Sequence, residues 1–179
     1  MSGTLTVPVS ESDHAKGDPG AAVTLVEYGD YQCPACGMAY PFVQGILQRH
    51  GSKLRFVFRN FPLSQAHPYA SMAAQVAEGA ATLGKFWEMH DWLYQHQDAW
   101  TQRGAEGIAD GVQAIGLDPM QLEQALEDSA IPERVRHDFM GGVRSGVNGT
   151  PSFYLNGQMY SGGFDTLGQA VDTLIAQAG

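Results

Sequence analysis

The chain has 179 residues, enough for one domain with a sizeable hydrophobic core or for a small domain that carries an insertion. Its formal net charge is -9, and its 10 lysines and arginines are scattered. This charge argues against nucleic-acid partners and anionic membrane surfaces, because both require clustered positive charge. No run approaches the roughly 20 apolar residues of a membrane-spanning helix.

The first 22 residues are polar and rich in Gly, Ser and Asp. We expect residues 1–22 to form a loosely held N-terminal arm, with a short edge strand at residues 5–9. The chain opens without the basic start and apolar segment of an export signal, so the sequence predicts a cytoplasmic protein. The alternative is a mature periplasmic or extracytoplasmic form from which an export signal was removed.

A buried strand followed directly by a helix places two cysteines at the corner between them. Residues 23–28 are apolar or β-branched without alternation, which is typical of a central strand, and residues 34–50 form the predicted helix. Cys33 then lies at the helix N-terminus, where unpaired N–H groups and the helix dipole favour its thiolate. Cys36 lies one turn further on, more shielded, and close enough to form a disulfide with Cys33.

These are the only two cysteines in the sequence, so neither is available for a cross-link elsewhere. A disulfide across so short a loop restricts the unfolded chain little, which indicates a redox role for the pair. A zinc site is disfavoured, because His50 follows Cys36 at a finger-like distance without a second histidine. We therefore expect no metal and no bound organic cofactor, and we expect His67, His90, His96 and His137 to be surface or partly buried residues.

Four further segments complete the pattern. Residues 54–59 form a second strand, which the first helix connects to the first strand in a right-handed parallel βαβ unit. Residues 64–144 are helical in pattern. Residues 152–160 predict a hairpin with a type I′ turn at Asn156-Gly157, and a last helix carries Leu167, Val171, Leu174 and Ile175 on one face.

A βαβ half and a ββα half around Cys-x-x-Cys resemble the thioredoxin fold, and the helices between the halves resemble the DsbA branch of that superfamily. The motifs that carry the resemblance occupy residues 26–36, 59–63 together with His67-Pro68, 85–90 and 145–153. The resemblance implies an α/β protein of the thioredoxin-like fold, βαβ…ββα, with an inserted helical domain. The thioredoxin-like domain would comprise residues 23–63 and 145–179, and the insertion residues 64–144.

The resemblance also implies an active site. It places a cis proline at Pro151, with the Thr150-Pro151 turn beside the two sulfurs and the Thr150 backbone free to pair with an extended peptide. It places an acid beneath the sulfurs at Glu27, whose pKa burial would raise so that the carboxyl relays a proton to or from Cys36. The alternative for Glu27 is an acid at the strand end that pairs with Lys or Arg.

Other positions near the cysteines are candidates for contact with substrate or for acid chemistry. Pro34, Ala35, Phe61 and Phe153 are expected to contact substrate, and Asp30, which follows a glycine in the loop, is expected to be solvated. A histidine stands at the position of Ala35 in the DsbA pattern. Its loss removes a stabiliser of the neighbouring thiolate, so the net redox direction stays open.

The first hypothesis is therefore a monomeric enzyme that exchanges disulfides with protein or low-molecular-weight thiols and a redox partner. Cys33 attacks, a mixed disulfide forms, and Cys36 releases it. The alternatives are a redox-responsive binding module without turnover and a glutathione-transferase-like relative of the fold. Relatives of that last kind use a serine and do not need the cysteine pair.

Overall fold

A five-stranded mixed sheet forms the centre of the protein in the computed structural model, which describes residues 3–179. The strands are β1 (His14–Lys16), β2 (Val23–Gly29), β3 (Leu54–Asn60), β4 (Ser152–Leu155) and β5 (Gln158–Met159). Their order across the sheet is β1-β3-β2-β4-β5. β2 and β3 are parallel, as predicted, and the other neighbouring strands are antiparallel.

Eight α-helices surround the sheet in the described part of the chain. They are α1 (Pro34–His50), α2 (Ala70–Thr82), α3 (Phe86–Gln95), α4 (Gln97–Arg103), α5 (Ala105–Ala114), α6 (Pro119–Leu126), α7 (Ala130–Arg144) and α8 (Phe164–Ala178), with a short 3₁₀ helix at Gly51–Lys53. α1 packs against α8, and α2 to α7 occupy the segment between the two halves of the sheet. Among residues 3–179, no helix combines the length and apolar character needed to cross a membrane.

The central strand β2 is buried on both faces, which explains its unbroken apolar sequence. Val23 and Leu25 belong to the larger hydrophobic core, and Val26 and Tyr28 belong to a smaller core on the other face. α7 approaches that second face closely at Gly142, where a Cβ atom would lie 2.7 Å from the Phe61 ring. The glycine therefore allows α7 to pack directly against the sheet.

The N-terminal segment is held more firmly than expected. The edge strand lies at His14–Lys16 and pairs with β3, whereas Thr4 makes an isolated bridge to Gln158, so the predicted strand at residues 5–9 was wrong. The buried Arg59 guanidinium donates hydrogen bonds to the carbonyls of Val7 and Pro8 and to the Asp13 carboxylate. Because a buried cation needs acceptors, Arg59 fastens this segment to the sheet. Met1 and Ser2 of the predicted arm lie outside the described residues.

The predicted hairpin is confirmed. Asn156 and Gly157 have φ angles of 48° and 83°, and a type I′ turn requires a positive φ at both central residues. The Asn156 side chain also accepts a hydrogen bond from the Thr24 N–H at 2.8 Å, which ties the turn to β2. β4 is thereby fixed next to β2, with the Thr150-Pro151 turn at its start.

Candidate active site

Cys33 occupies the N-cap position of α1, as predicted. Pro34 is the first helical residue, where the missing N–H of a proline costs nothing because the first-turn donors have no helical partner. Both cysteines are free thiols. The exposed fraction is 6% for Cys33 and 0% for Cys36, so Cys33 is the thiol nearer to solvent.

The local environment separates the acidities of the two thiols. A hydrogen bond from Cys36, supplemented by the backbone N–H groups of Ala35 and Cys36, outweighs burial and lowers the pKa of Cys33 to about 5. Burial raises the pKa of Cys36 well above 9, and its hydrogen bond to Cys33 and the charges of Glu27 and Cys33 raise it further. Cys33 is therefore the thiolate of the pair near neutral pH, and Cys36 keeps its proton.

The Thr150-Pro151 turn lies directly against Cys33. The peptide bond between Thr150 and Pro151 is cis, and the Cys33 Sγ atom lies 3.5 Å from the Thr150 carbonyl oxygen, within hydrogen-bond distance when the thiol is protonated. Thr150 and Pro151 are both partly exposed. The turn and the more accessible sulfur therefore face the same solvent-accessible region.

Glu27 is buried on β2, with an exposed fraction of 3%. Its register partners are Phe58 on β3 and Phe153 on β4, so the carboxyl has apolar neighbours in the sheet. Within residues 3–179 no ion pair to Lys or Arg is found for it, so the alternative of a strand-end ion pair does not describe this acid. Burial, followed by the charge of Cys33, raises the pKa of Glu27 to about 8.

Asp30 is buried, and the expectation that it is solvated was wrong. Its exposed fraction is 1%. One carboxylate oxygen accepts from the N–H groups of Gln32 and Cys33 at 2.8 and 3.2 Å, and the other accepts from the Leu63 N–H and pairs with His67 Nδ1, both at 2.8 Å. The loop after β3 folds over Asp30, so this carboxylate joins that loop to the cysteine corner.

Two glutamines add to this arrangement. The Gln32 side-chain oxygen accepts from the Tyr69 N–H at 2.7 Å, just before α2. The Gln97 side-chain nitrogen, on α4, donates to the carbonyls of Tyr31 and Cys33 at 2.8 Å each. We call Asp30, Gln32 and Gln97 the active-site clamp, because their side chains fix the backbone of the cysteine corner to three later segments of the chain.

Sequence reasoning did not identify the clamp as a unit. Its bonds to Leu63, His67 and Tyr69 join positions far apart in the chain, which no local pattern reveals. One local signal was present, since Asp30 accepts from N–H groups two and three residues ahead, as in an Asx turn.

Two of the expected substrate-contacting side chains are not accessible. Phe61 and Phe153 have exposed fractions of 3% and 4%, and the Phe61 ring stacks on Phe139 with 4.3 Å between ring centroids. Their assignment to a substrate surface was wrong, because both rings fill the hydrophobic cores of the sheet. Pro34 is exposed and Ala35 is partly exposed, so these two remain in contact with solvent beside Cys33.

His90 also differs from the expectation of a surface or partly buried histidine. Its exposed fraction is 1%, and its Nδ1 atom lies 2.9 Å from the Tyr31 hydroxyl. Burial holds the pKa of His90 well below its usual range, so the imidazole is neutral. In the described part of the chain, no three His, Cys, Asp or Glu side chains converge where a metal ion could bind.

The fold and the paired thiols define a class of protein, the thioredoxin-fold proteins, here with a DsbA-like arrangement of helices. A family model described as Thioredoxin matches residues 9–173, and the chain belongs to this family. A thioredoxin-like oxidoreductase from Silicibacter pomeroyi DSS-3 superposes with a TM-score of 0.79 at 27% identity, over 95% of each chain. α-DsbA1 from Wolbachia pipientis gives a TM-score of 0.82 at 18% identity, over 97% of this chain and 96% of that one. The predicted fold class is confirmed.

Curated relatives of higher identity are much longer than this chain. A Na(+)/H(+) antiporter NhaA 1 from Salinispora arenicola is 39% identical over 175 residues, which is 96% of this chain and 26% of the antiporter. The chain therefore spans about a quarter of the length of the curated relatives it matches.

Proposed function

We propose that the protein is a thiol-disulfide oxidoreductase that works through the Cys33-Pro-Ala-Cys36 site. The observation that carries this proposal is the opposite displacement of two neighbouring thiol pKa values, to about 5 for Cys33 and well above 9 for Cys36. A thiol with a pKa of about 5 is about 99% thiolate at neutral pH, and the thiolate is the nucleophile in disulfide exchange. A purely structural pair of buried cysteines has no need of this asymmetry.

The reaction begins at Cys33. Its thiolate attacks one sulfur of a substrate disulfide, a mixed disulfide forms, and the other substrate sulfur leaves as a thiolate. Cys36 then attacks the Cys33 sulfur, closes the Cys33-Cys36 disulfide and releases the substrate. In the oxidising direction the same steps run in reverse, with a substrate thiolate attacking Cys33 of the closed disulfide.

Glu27 handles the proton of Cys36. The resolving step requires a Cys36 thiolate, and the sulfur is buried beyond easy reach of bulk water. A buried carboxylate on the neighbouring strand accepts this proton, and its raised pKa, about 8, lets it exchange protons near physiological pH. In the reverse direction the protonated carboxyl returns the proton to the Cys36 thiolate.

Substrate binds at the accessible side of Cys33. Pro34, Ala35 and the Thr150-Pro151 turn are at least partly exposed there, and free backbone groups at the turn suit an extended peptide or a small disulfide. We assign Thr150 the backbone contact with the substrate. The buried Phe153 ring belongs to the same hydrophobic core as the two cysteines, and the Phe61 ring belongs to the core on the other face of the sheet.

Two measurements test this function. The reduced protein should accelerate insulin reduction when dithiothreitol regenerates it, and Cys36→Ser should trap mixed disulfides that Cys33→Ser does not form. The control is a Met120→Ser variant, which changes an exposed side chain on α6, outside the site. The proposal fails if the wild-type protein gives no turnover and Cys36→Ser accumulates no mixed disulfide.

The stabilised Cys33 thiolate favours the reduced protein and so an oxidising reduction potential. A pKa near 5 in place of the ordinary value is worth on the order of 100 mV for a two-electron couple. Equilibration in glutathione buffers measures the potential, and cell fractionation identifies the compartment in which it operates. A potential as low as that of thioredoxin, about -270 mV, would assign the reductase direction instead.

A redox-responsive binding module is the second candidate function, and the curated relatives favour it. Those relatives are named as Na(+)/H(+) antiporters, and a region similar to this chain makes up 26% of one of them. In this case closure of the Cys33-Cys36 disulfide changes affinity for an antiporter-type partner without turnover. Binding that depends on oxidation state, is lost in Cys33→Ser, and occurs without insulin reduction would favour the module over the enzyme.

A further inference from the structure

The carboxylate that holds the cysteine corner also places a negative charge beside the sulfur that must become an anion. Asp30 accepts a hydrogen bond from the Cys33 N–H at 3.2 Å, and its side chain has an exposed fraction of 0%. Only the Cα and Cβ atoms separate the nitrogen of a cysteine from its sulfur, so the Asp30 charge lies close to the Cys33 sulfur. A like charge nearby disfavours the ionised thiol, most strongly where water is excluded. The active-site clamp therefore opposes the Cys33 thiolate unless a positive charge compensates Asp30.

His67, in the loop after β3, is placed to supply this charge. Its Nδ1 atom lies 2.8 Å from the second carboxylate oxygen of Asp30. An ionised carboxylate only accepts hydrogen bonds, so Nδ1 carries a proton and donates. Within residues 3–179, His67 is the only basic side chain that pairs with Asp30. In the same part of the chain, Asp30 is the only titratable group within hydrogen-bond distance of the His67 ring.

The burial of the two partners differs. The His67 side chain has an exposed fraction of 20%, so its ring exchanges protons with water, whereas the Asp30 carboxylate has no access to solvent. A buried carboxylate is costly unless it is both hydrogen-bonded and paired with a positive charge. The charges that act on Cys36 and Glu27 come from the acids of the site itself, so they do not compensate Asp30. An imidazolium at His67 meets both requirements, and a neutral ring would supply only the hydrogen bond.

We propose that His67, as an imidazolium, compensates the charge of the Asp30 carboxylate and so stabilises the Cys33 thiolate. The inference rests on the proposed disulfide exchange and concerns its redox direction. His67 is a positioning residue, because it acts on Cys33 through the Asp30 carboxylate. It supplies, from a distant segment, the positive charge that the DsbA pattern carries at the position of Ala35. A more stable thiolate favours the reduced protein and therefore a more oxidising potential.

The test compares His67→Asn with the wild-type protein. The side-chain nitrogen of asparagine is bonded to Cγ, as Nδ1 is in histidine, so the variant keeps a neutral donor for Asp30 and removes only the charge. The pH profile of Cys33 alkylation should move upward by about one unit. The equilibrium constant with glutathione should change about tenfold in favour of the Cys33-Cys36 disulfide, which corresponds to about 30 mV for a two-electron couple. In an Asp30→Asn background, His67→Asn should alter neither quantity, because the charge that His67 compensates is gone.

His50→Gln is the matched control. His50 is the last residue of α1, and its Nε2 atom lies 2.6 Å from the exposed Asp172 carboxylate, so this pair is at the opposite end of the helix from Cys33. The control should leave the alkylation profile and the equilibrium constant unchanged. The inference is overturned if His67→Asn behaves as wild type, if His50→Gln shifts the profile equally, or if the effect of His67→Asn persists in the Asp30→Asn background.

Nitrogen NMR of the His67 ring in the reduced wild-type protein is a second measurement, which does not depend on the folding of a variant. Protons on both ring nitrogens near neutral pH would support the inference, and a neutral ring would overturn it. Insulin reduction and trapped mixed disulfides would still establish the proposed function if His67 had no effect on Cys33. A wild-type Cys33 that alkylates as an ordinary thiol would instead refute the proposed exchange, and with it this inference.

Discussion

Replacing Asp30 is the sharpest test of how the cysteine corner is held. Asp30→Ala removes the acceptor of three backbone N–H groups, those of Gln32, Cys33 and Leu63, and the partner of the His67 imidazole. The Cys33 N–H bond is fully buried, and the other three are partly buried. The Cys33 N–H keeps the main-chain carbonyl of residue 30 as an acceptor at 3.1 Å, so the variant leaves the Gln32 and Leu63 N–H groups and the His67 imidazole without their acceptor.

The expected loss follows from these bonds. A buried donor left unsatisfied costs about 1–3 kcal/mol, and water compensates in part at the three partly buried positions. We expect Asp30→Ala to lower the free energy of unfolding by about 2–4 kcal/mol, and Asp30→Asn, which retains one acceptor oxygen, by about 1–2 kcal/mol. Asp118→Asn is the matched control, because Asp118 caps α6 through one exposed N–H and asparagine caps equally well.

Urea unfolding of the reduced proteins measures these differences, and the pH dependence of Cys33 alkylation reports the corner itself. Because the lowered pKa of Cys33 depends on neighbouring N–H groups and on Cys36, a displaced corner should raise this pKa from about 5 towards 9. If Asp30→Ala unfolded at the wild-type urea concentration, the carboxylate would not hold the corner. The Asn variant keeps the test decisive if the Ala variant fails to fold.

Three further substitutions probe buried polar groups. The folded pKa of Glu27, about 8 against an ordinary 4.5, means that stability falls as the pH rises through this interval. Glu27→Gln should therefore be more stable than wild type above pH 8 by about 5 kcal/mol in urea unfolding. Equal stabilities there would contradict the raised pKa. Gln97→Ala should lower the free energy of unfolding by about 1–2 kcal/mol, because two carbonyls of the cysteine corner lose their hydrogen-bond donor. The control Gln95→Ala, at an exposed position, should lower it little. Equal losses in the two variants would refute the role of Gln97 in the clamp. Burial opposes ionisation of Glu78, but the hydrogen bond and charge of His14 outweigh it and hold the pKa of Glu78 below 4.5. This stabilisation is complete above pH 4.5 and is lost as the pH falls through the lowered pKa. Glu78→Gln should therefore lose less stability than wild type between neutral and acidic pH in urea unfolding. An unchanged pH dependence would contradict the lowered pKa of Glu78.

The parts of the fold that the sequence predicted are those with local causes. The unbroken apolar run of β2, the proline at the start of α1 and the Asn156-Gly157 turn each act through neighbouring residues. They sufficed for the parallel unit, the hairpin and the position of Cys33, because strand burial, helix capping and turn geometry depend on short segments. The thioredoxin resemblance added the Thr150-Pro151 turn, which lies more than 100 positions from the cysteines in sequence.

The errors have a common physical origin. Asp30, Phe61 and Phe153 were assigned from their residue types and nearby sequence, but their burial depends on which distant segment packs over them. A carboxylate after a glycine is solvated unless a second loop supplies donors, and here Leu63 and His67 do so. The edge strand at His14–Lys16 escaped prediction for a similar reason, because three residues carry no detectable alternation and the strand is fixed by its pairing with β3.

The inserted helices therefore contribute more than a cover for the thioredoxin sheet. α4 supplies the Gln97 bonds to the carbonyls of Tyr31 and Cys33, which lie on either side of the cysteine corner. The acidity of Cys33 and Cys36 depends on hydrogen bonds, burial and nearby charge, and all three respond to small shifts of these helices. Substitutions in the insertion can consequently tune the redox pair without altering either cysteine. Relatives that share the Cys-Pro-Ala-Cys sequence but differ at the position of Gln97 should therefore differ in reduction potential.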